Sequence, residues 1–162
     1  MSNVDFYKKH LEQDSPAFVR VFRALPADKL DYKPHERSSS AGDIAWQIAE
    51  EIRTLSELID SGVINWKTNP RPSTLDEIVA AYEANAAALR DRLASADDAK
   101  WNSEGRMLWE GQEVMKSSVG DMCWSFFLDA IHHRGQLSAY IRPMGGKVPS
   151  IYGPSADDSG GM

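Results

Sequence analysis

The sequence predicts an all-α protein that folds as a four-helix bundle with long connections. Four segments place apolar residues at the three- and four-residue spacing of an amphipathic helix. Three of them begin with Ser followed three residues later by Asp, a pair that caps free backbone N–H groups at a helix start. With 162 residues, of which 42% are hydrophobic, the chain is long enough to bury one core. We therefore expect residues 1–162 to form a single domain.

The first two helices differ in how clearly the sequence marks them. The first extends from Asp5 to about Leu25 with a loose apolar pattern, and Pro16 is expected to kink or divide it. The second begins at Ser40, carries isoleucines at helical spacing, and is expected to end at Gly62.

The last two helices are separated by a long connection. The third is predicted to begin at Ser73, and the fourth to run from Ser118 to about Pro143. Between them, the pattern over residues 107–114 predicts a short hairpin. Beyond the fourth helix, residues 155–162 are expected to form a flexible tail because small and acidic residues dominate there.

Composition limits the partners and the cellular location. Lys and Arg total 18 against 24 Asp and Glu, giving a net charge of -6, so nucleic acid is not expected as a partner. No apolar run approaches the roughly 20 residues that cross a bilayer, so we expect no membrane insertion. One cysteine, Cys123, and a start without signal-peptide features predict a cytoplasmic protein in which Cys123 is a buried apolar residue.

The main candidate site combines polar residues from the second and fourth helices. Asp129 and His133 are four residues apart and therefore share one face of the fourth helix. Gln47 and Glu51 have the same spacing at the edge of the apolar stripe of the second helix. Because buried charges require compensation, we predict that these four side chains hold one divalent ion, Zn, Ni, Mn or Fe, with a position open to water.

Two further residues and one alternative belong to this prediction. Gln136 and Tyr140 continue the same helical face and are expected to orient His133 or Asp129 through hydrogen bonds. In the alternative interpretation, the four polar side chains hydrogen-bond across the bundle and no ion is present. The neighbouring Arg134 is expected to be a salt-bridge partner rather than a catalytic cation.

The chain carries five tryptophans, a large number for its length. Trp46 and Trp124 lie close in sequence to the candidate ligands, where they either pack in the core or wall a pocket. Any rings left exposed would be buried by pairing with a second copy, which favours a homodimer.

Four runs resemble the DinB superfamily of bacterial four-helix-bundle metal-binding proteins, and the resemblance covers nearly the whole chain. The runs are residues 25–35 (LPADKLDYKPH), 42–51 (GDIAWQIAEE), 133–137 (HRGQL) and 145–154 (GGKVPSIYGP). In that family three histidines typically bind a divalent ion, one from the second helix and two from a His-x-x-x-His-Arg-Gly-Gln run. Here Gln47 and Asp129 stand where two of them are expected, and His133 is retained.

The resemblance implies a metal-dependent transferase or isomerase that activates a low-molecular-weight thiol for attack on a small electrophilic substrate, and it also implies a dimer. The replaced histidines leave two alternatives open. In the first, the site is retuned toward harder ions such as Mn, and hydrolysis or carbonyl chemistry is as well supported as thiol transfer. In the second, the site is empty, and the protein is a metal-free small-molecule-binding or stress-response bundle.

Overall fold

A computed structural model of the protein describes residues 2–160 and confirms the four long helices. The first two long helices each pack against the last two, so the four form one bundle around a shared apolar core. None of the described helices has the length and apolarity needed to cross a membrane. The helices, including one short helix, are α1 (Asn3–Arg23), α2 (Ala41–Ser61), α3 (Leu75–Ala94), α4 (Asp98–Trp101) and α5 (Val119–Met144).

A small mixed sheet corrects the all-α expectation. Strands β2 (Glu104–Trp109) and β3 (Gln112–Ser118) form an antiparallel hairpin, which is the hairpin predicted over residues 107–114 but longer. Strand β1 (Val63–Trp66) pairs in parallel with β2 and was not predicted. A strand of four residues is too short to show an alternating pattern, and its partner lies about 40 residues away in the chain.

The helix starts follow local capping chemistry. The side chains of Ser40 and Ser118 each accept a hydrogen bond from the backbone N–H three residues on, as predicted. Helix α3 begins after Thr74 rather than at Ser73, because Thr74 and Glu77 form a reciprocal capping box.

Pro16 lies inside one continuous helix and does not divide it. Tyr7 and Leu11 before it and Phe18 and Phe22 after it are all buried in the same core. Packing on both sides therefore outweighs the one backbone hydrogen bond that proline cannot donate.

The segment after α5 is held against the bundle by polar contacts. Arg134 is buried and forms an ion pair with Asp14 of α1, which confirms its predicted role. The Tyr152 hydroxyl bonds to both members of this pair. Farther along, Arg142 of the last helix donates to the Asp157 carboxylate at 2.8 Å. Residues 161–162 of the tail predicted over 155–162 lie outside the described residues.

Two glycines of α5 give a matched test of packing. A Cβ at Gly120 would lie 2.3 Å from Nε1 of the buried Trp101, whereas a Cβ at Gly135 would meet nothing within 4 Å. We expect Gly120→Ala to lower the free energy of unfolding by about 1–3 kcal/mol through overpacking. Gly135→Ala should instead raise it by about 0.5–1 kcal/mol, because alanine has the higher helix propensity. Urea denaturation measures both; equal effects would contradict the packing at Trp101.

Candidate metal centre

Glu51, Asp129 and His133 each bring one potential ligand atom within 4.8 Å of the others. Glu51 lies on α2 and is 2% exposed. Asp129 and His133 lie one turn apart on α5, with His133 Nε2 3.3 Å from Asp129 Oδ2. Since Asp129 is exposed and His133 is half-buried, the cluster is buried at Glu51 and open to solvent at Asp129.

Gln47, the fourth residue predicted as a ligand, places its amide nitrogen in this cluster. Its Nε2 lies 2.9 Å from Glu51 Oε1 and 2.9 Å from His133 Nε2. An amide NH2 group carries two N–H donors, so it donates to both acceptors at once. The amide oxygen, which is the atom able to bind a cation, does not make these contacts. Binding a cation through Gln47 therefore requires its amide group to rotate so that the oxygen faces the cluster.

The protonation of His133 follows from its second ring nitrogen. Nδ1 lies 2.6 Å from the side-chain oxygen of Gln136, and this oxygen can only accept, so Nδ1 carries the proton. The lone pair of Nε2 then faces the cluster, as a metal ligand requires. Gln136 thus has the predicted orienting contact. Tyr140 does not, because its hydroxyl donates to the backbone oxygen of Ser39.

The Glu51 carboxyl is the least satisfied group of the cluster. Burial raises its pKa to about 8, the Gln47 hydrogen bond partly opposes this rise, and the negative charge of Asp129 adds to it. Its Oε2 atom is fully buried and has no hydrogen-bond partner among residues 2–160. Below that pKa the Glu51 carboxyl holds a proton in the metal-free protein. A buried carboxyl oxygen without a partner, beside the Asp129 carboxylate and an imidazole nitrogen, fits a divalent cation, which would displace this proton and compensate both carboxylates.

A groove of about 490 Å³ opens beside the cluster, between α2 and the loop that follows β1. We call it the tryptophan groove, because Trp46 and Trp66 line it together with Gln47, Lys67 and Arg71. The sequence suggested Trp46 as a core or pocket residue but gave no signal for Trp66 or this loop.

The other tryptophan considered at the site has a different role. Trp124 packs against the rings of Tyr7 and Phe127, with centroids 5.2 and 5.9 Å away. It therefore belongs to the core on the α1 side. Cys123 is also buried, as predicted, and burial raises the pKa of its thiol to about 12.

Comparisons with known proteins agree on the fold. The model of the DinB family matches residues 1–160. The uncharacterized protein YrdA of Bacillus subtilis (strain 168) is 23% identical over 159 residues, which cover 96% of this chain and 91% of YrdA. A DinB-like protein from Bacillus cereus superposes with a TM-score of 0.74 at 18% identity, covering 90% of this chain and 95% of its own.

Two further solved structures have the same architecture. A DinB-like protein from Bacillus subtilis gives a TM-score of 0.69 at 17% identity and covers 87% of this chain and 93% of its own. The mycothiol-dependent maleylpyruvate isomerase gives 0.54 at 8% identity and covers 88% of this chain but 61% of its own. At these identities the structural similarity shows a shared fold.

Proposed function

Because this chain belongs to the DinB family, we propose that Glu51, Asp129 and His133 bind one divalent cation, and that the protein is a metal-dependent enzyme acting on a small electrophilic substrate. The observation that carries this proposal is the buried Glu51 Oε2, which lacks a hydrogen-bond partner among residues 2–160. It belongs to a cluster whose other potential ligands include His133 Nε2, whose lone pair accepts a hydrogen bond from Gln47 that a bound cation would replace.

The ligand set favours a harder cation than three histidines would. Two carboxylates and one imidazole suit Mn and Fe(II), and also accept Zn and Ni, whereas they disfavour soft ions such as Cu(I). The exposure of Asp129 leaves the solvent side of the cluster accessible to a substrate. We therefore propose Mn or Fe as the first ions to test.

A bound cation would supply Lewis acidity, either polarising a carbonyl group or lowering the pKa of a thiol or a water molecule. The protein residues position the reactants. Gln136 fixes the His133 ring through Nδ1, and Gln47 separates the cluster from the tryptophan groove. One relative of this fold is named as a thiol-dependent isomerase, so thiol transfer is the first reaction to assay and hydrolysis the second.

Metal binding gives the direct test of this proposal. After chelator treatment we expect the protein to bind about one equivalent of Mn or Zn and to gain roughly 2.7 kcal/mol of stability at 100 Kd of free metal. Glu51→Gln and His133→Ala should each lose most of this gain. Glu57→Gln is the matched control, since Glu57 lies on the same helix but pairs with Arg53. Elemental analysis and calorimetry measure the two quantities.

One outcome of the metal-binding experiment would overturn the proposal, and one further variant extends it. Less than about a tenth of an equivalent of bound metal would overturn the proposal, because ligands that already lie close together should bind metal supplied in excess. Gln47→His, which adds an imidazole to the cluster, should raise the affinity for Zn and Ni, since both accept nitrogen ligands readily.

A second candidate function is favoured by the hydrogen bonds of Gln47. Its amide already donates to Glu51 and His133, so the cluster is partly satisfied without a cation. In this case the protein is a metal-free bundle that binds a small molecule without catalysis. Asp129→Asn separates the candidates, because it should remove the metal-linked stability gain of an enzyme and leave a metal-free binder unchanged.

A further inference from the structure

We propose that the tryptophan groove is the substrate site, and that its substrate is a small aromatic carboxylate whose ring lies between Trp46 and Trp66 and whose carboxylate meets Lys67. The inference deepens the proposed function, because the groove reaches the cation cluster through Gln47. It rests on three features of the groove, namely its walls, its charges and its contact with the cluster.

The walls of the groove are two indole rings, and each makes a contact that fixes its position. Trp46 donates its indole N–H to the backbone oxygen of Asn69 at 3.0 Å. Trp66 packs against Phe126 of α5, with ring centroids 6.2 Å apart. Both indoles are half-buried and line a volume of about 490 Å³, which is within the range of small-ligand pockets. Fixed aromatic walls favour a flat, unsaturated ring.

Most charges around the groove are already paired. Arg71 forms an ion pair with Asp43 at 3.1 Å, and Glu50 accepts a hydrogen bond from Arg53 at 3.1 Å. Lys67, in contrast, is exposed and takes part in none of the ion pairs among residues 2–160. The charge available to a ligand is therefore a single ammonium group, which is complementary to one carboxylate.

The groove and the cluster share one residue. Gln47 lines the groove, and its Nε2 atom lies 2.9 Å from both Glu51 Oε1 and His133 Nε2. A molecule bound in the groove therefore contacts the residue that covers the proposed cation site. This contact connects a binding site for the ring to the place where chemistry would occur.

Nuclear magnetic resonance of the metal-free protein tests the proposal with 2-naphthoate as the probe and neutral 2-naphthamide as its matched control. The indole N–H signals of Trp46 and Trp66, assigned from single Trp→Phe variants, should shift saturably with 2-naphthoate. The signals of the buried Trp101 and of Trp124 should not. Absence of shifts at both groove indoles up to about 10 mM, an affinity too weak for recognition, would overturn the proposal.

Variants of two exposed lysines test the contribution of the Lys67 charge to binding separately from that of the indole walls. Lys67→Gln should weaken 2-naphthoate binding about threefold to fivefold, as expected for an exposed ion pair, and leave 2-naphthamide binding unchanged. Lys33→Gln is the control, because Lys33 is also an exposed lysine and lies in the connection before α2. Equal loss for both probes, or equal affinity of both probes for the unmodified protein, would contradict a carboxylate site at Lys67.

Two tryptophan variants test where the aromatic ring of the probe binds. Trp66→Leu should weaken both probes about tenfold through loss of an aromatic wall. Trp109 is paired with Trp66 across the sheet and is exposed, but it does not line the tryptophan groove. Trp109→Leu should therefore change either affinity by less than about twofold, a surface effect. A larger loss from Trp109→Leu than from Trp66→Leu would place the ring elsewhere and overturn the proposal.

The two proposals fail separately. The titration needs no cation, so saturable shifts in metal-free protein support the groove even where no metal binds, and only the proposed function is then overturned. Metal binding that is lost in Glu51→Gln, without shifts at Trp46 or Trp66, would overturn the groove and leave the cation site standing.

Discussion

Arg134→Met is expected to lower the free energy of unfolding by about 3–5 kcal/mol, because it leaves a buried charge without its partner. Arg134 is 2% exposed and its Nη1 lies 2.9 Å from Oδ1 of Asp14, which is 6% exposed. The guanidinium also lies 4.6 Å from the centre of the Phe18 ring. Without Arg134, the Asp14 carboxylate keeps only the neutral Tyr152 hydroxyl as a side-chain partner among residues 2–160. Urea denaturation followed by circular dichroism measures the loss.

Three other variants show whether the buried pair is the cause. Asp14→Leu combined with Arg134→Met should recover a large part of the loss, because no charge then remains buried. Tyr152→Phe removes two hydrogen bonds to the charged pair but leaves the pair itself intact, so it should cost only about 1–2 kcal/mol. Arg142→Met removes the more exposed ion pair with Asp157 and should cost less than about 1 kcal/mol. A loss at Arg134 no larger than that at Arg142 would contradict this account.

The parts of the fold that the sequence predicted depend on local information. Apolar spacing and the capping residues Ser40 and Ser118 act within a few residues of the helices they define. The contacts that the sequence did not predict join distant positions. Strand β1 needs β2 as its partner, and the Tyr152 hydroxyl meets Asp14 across a separation of 138 residues. Neither contact leaves a pattern in its own segment.

The same distinction applies to the candidate site. The four-residue spacing of Gln47 with Glu51 and of Asp129 with His133 placed these residues on two helix faces that meet in the structure, because helix geometry alone sets those faces. Which atom of Gln47 faces the cluster depends in part on His133, an acceptor supplied by another helix. The deep burial of Glu51 beside an exposed Asp129 also depends on how α2 and α5 pack. No local pattern encodes either property.

The burial of Glu51 makes the stability of the metal-free protein depend on pH. Its pKa is about 8 in the folded protein against 4.5 for the free side chain. Between these values the folded state holds a proton that the unfolded state has released. The stability that Glu51 contributes is therefore complete below about pH 4.5, falls as the pH rises, and is lost above about pH 8. We expect a total loss of the order of 2–5 kcal/mol from this one group.

Glu51→Gln isolates this effect because its side chain does not titrate. The free energy of unfolding of Glu51→Gln, measured with urea, should change much less between pH 4.5 and 8 than that of the unmodified protein. Glu57→Gln should keep the pH dependence of the unmodified protein, since Glu57 lies outside the cluster. An equal slope in Glu51→Gln and the unmodified protein would show that another group is responsible.

Cation binding should reverse the direction of this pH dependence. A divalent ion must displace the Glu51 proton, so the apparent affinity should rise up to about tenfold per pH unit and level off near pH 8. Saturating metal would then add most to the free energy of unfolding near pH 8, where the Glu51 contribution to the stability of the metal-free protein is smallest. Calorimetric titrations at pH 6, 7 and 8 measure this as about one proton released per ion near the lower end of that range. Metal affinity that does not change with pH would rule out Glu51 as a ligand.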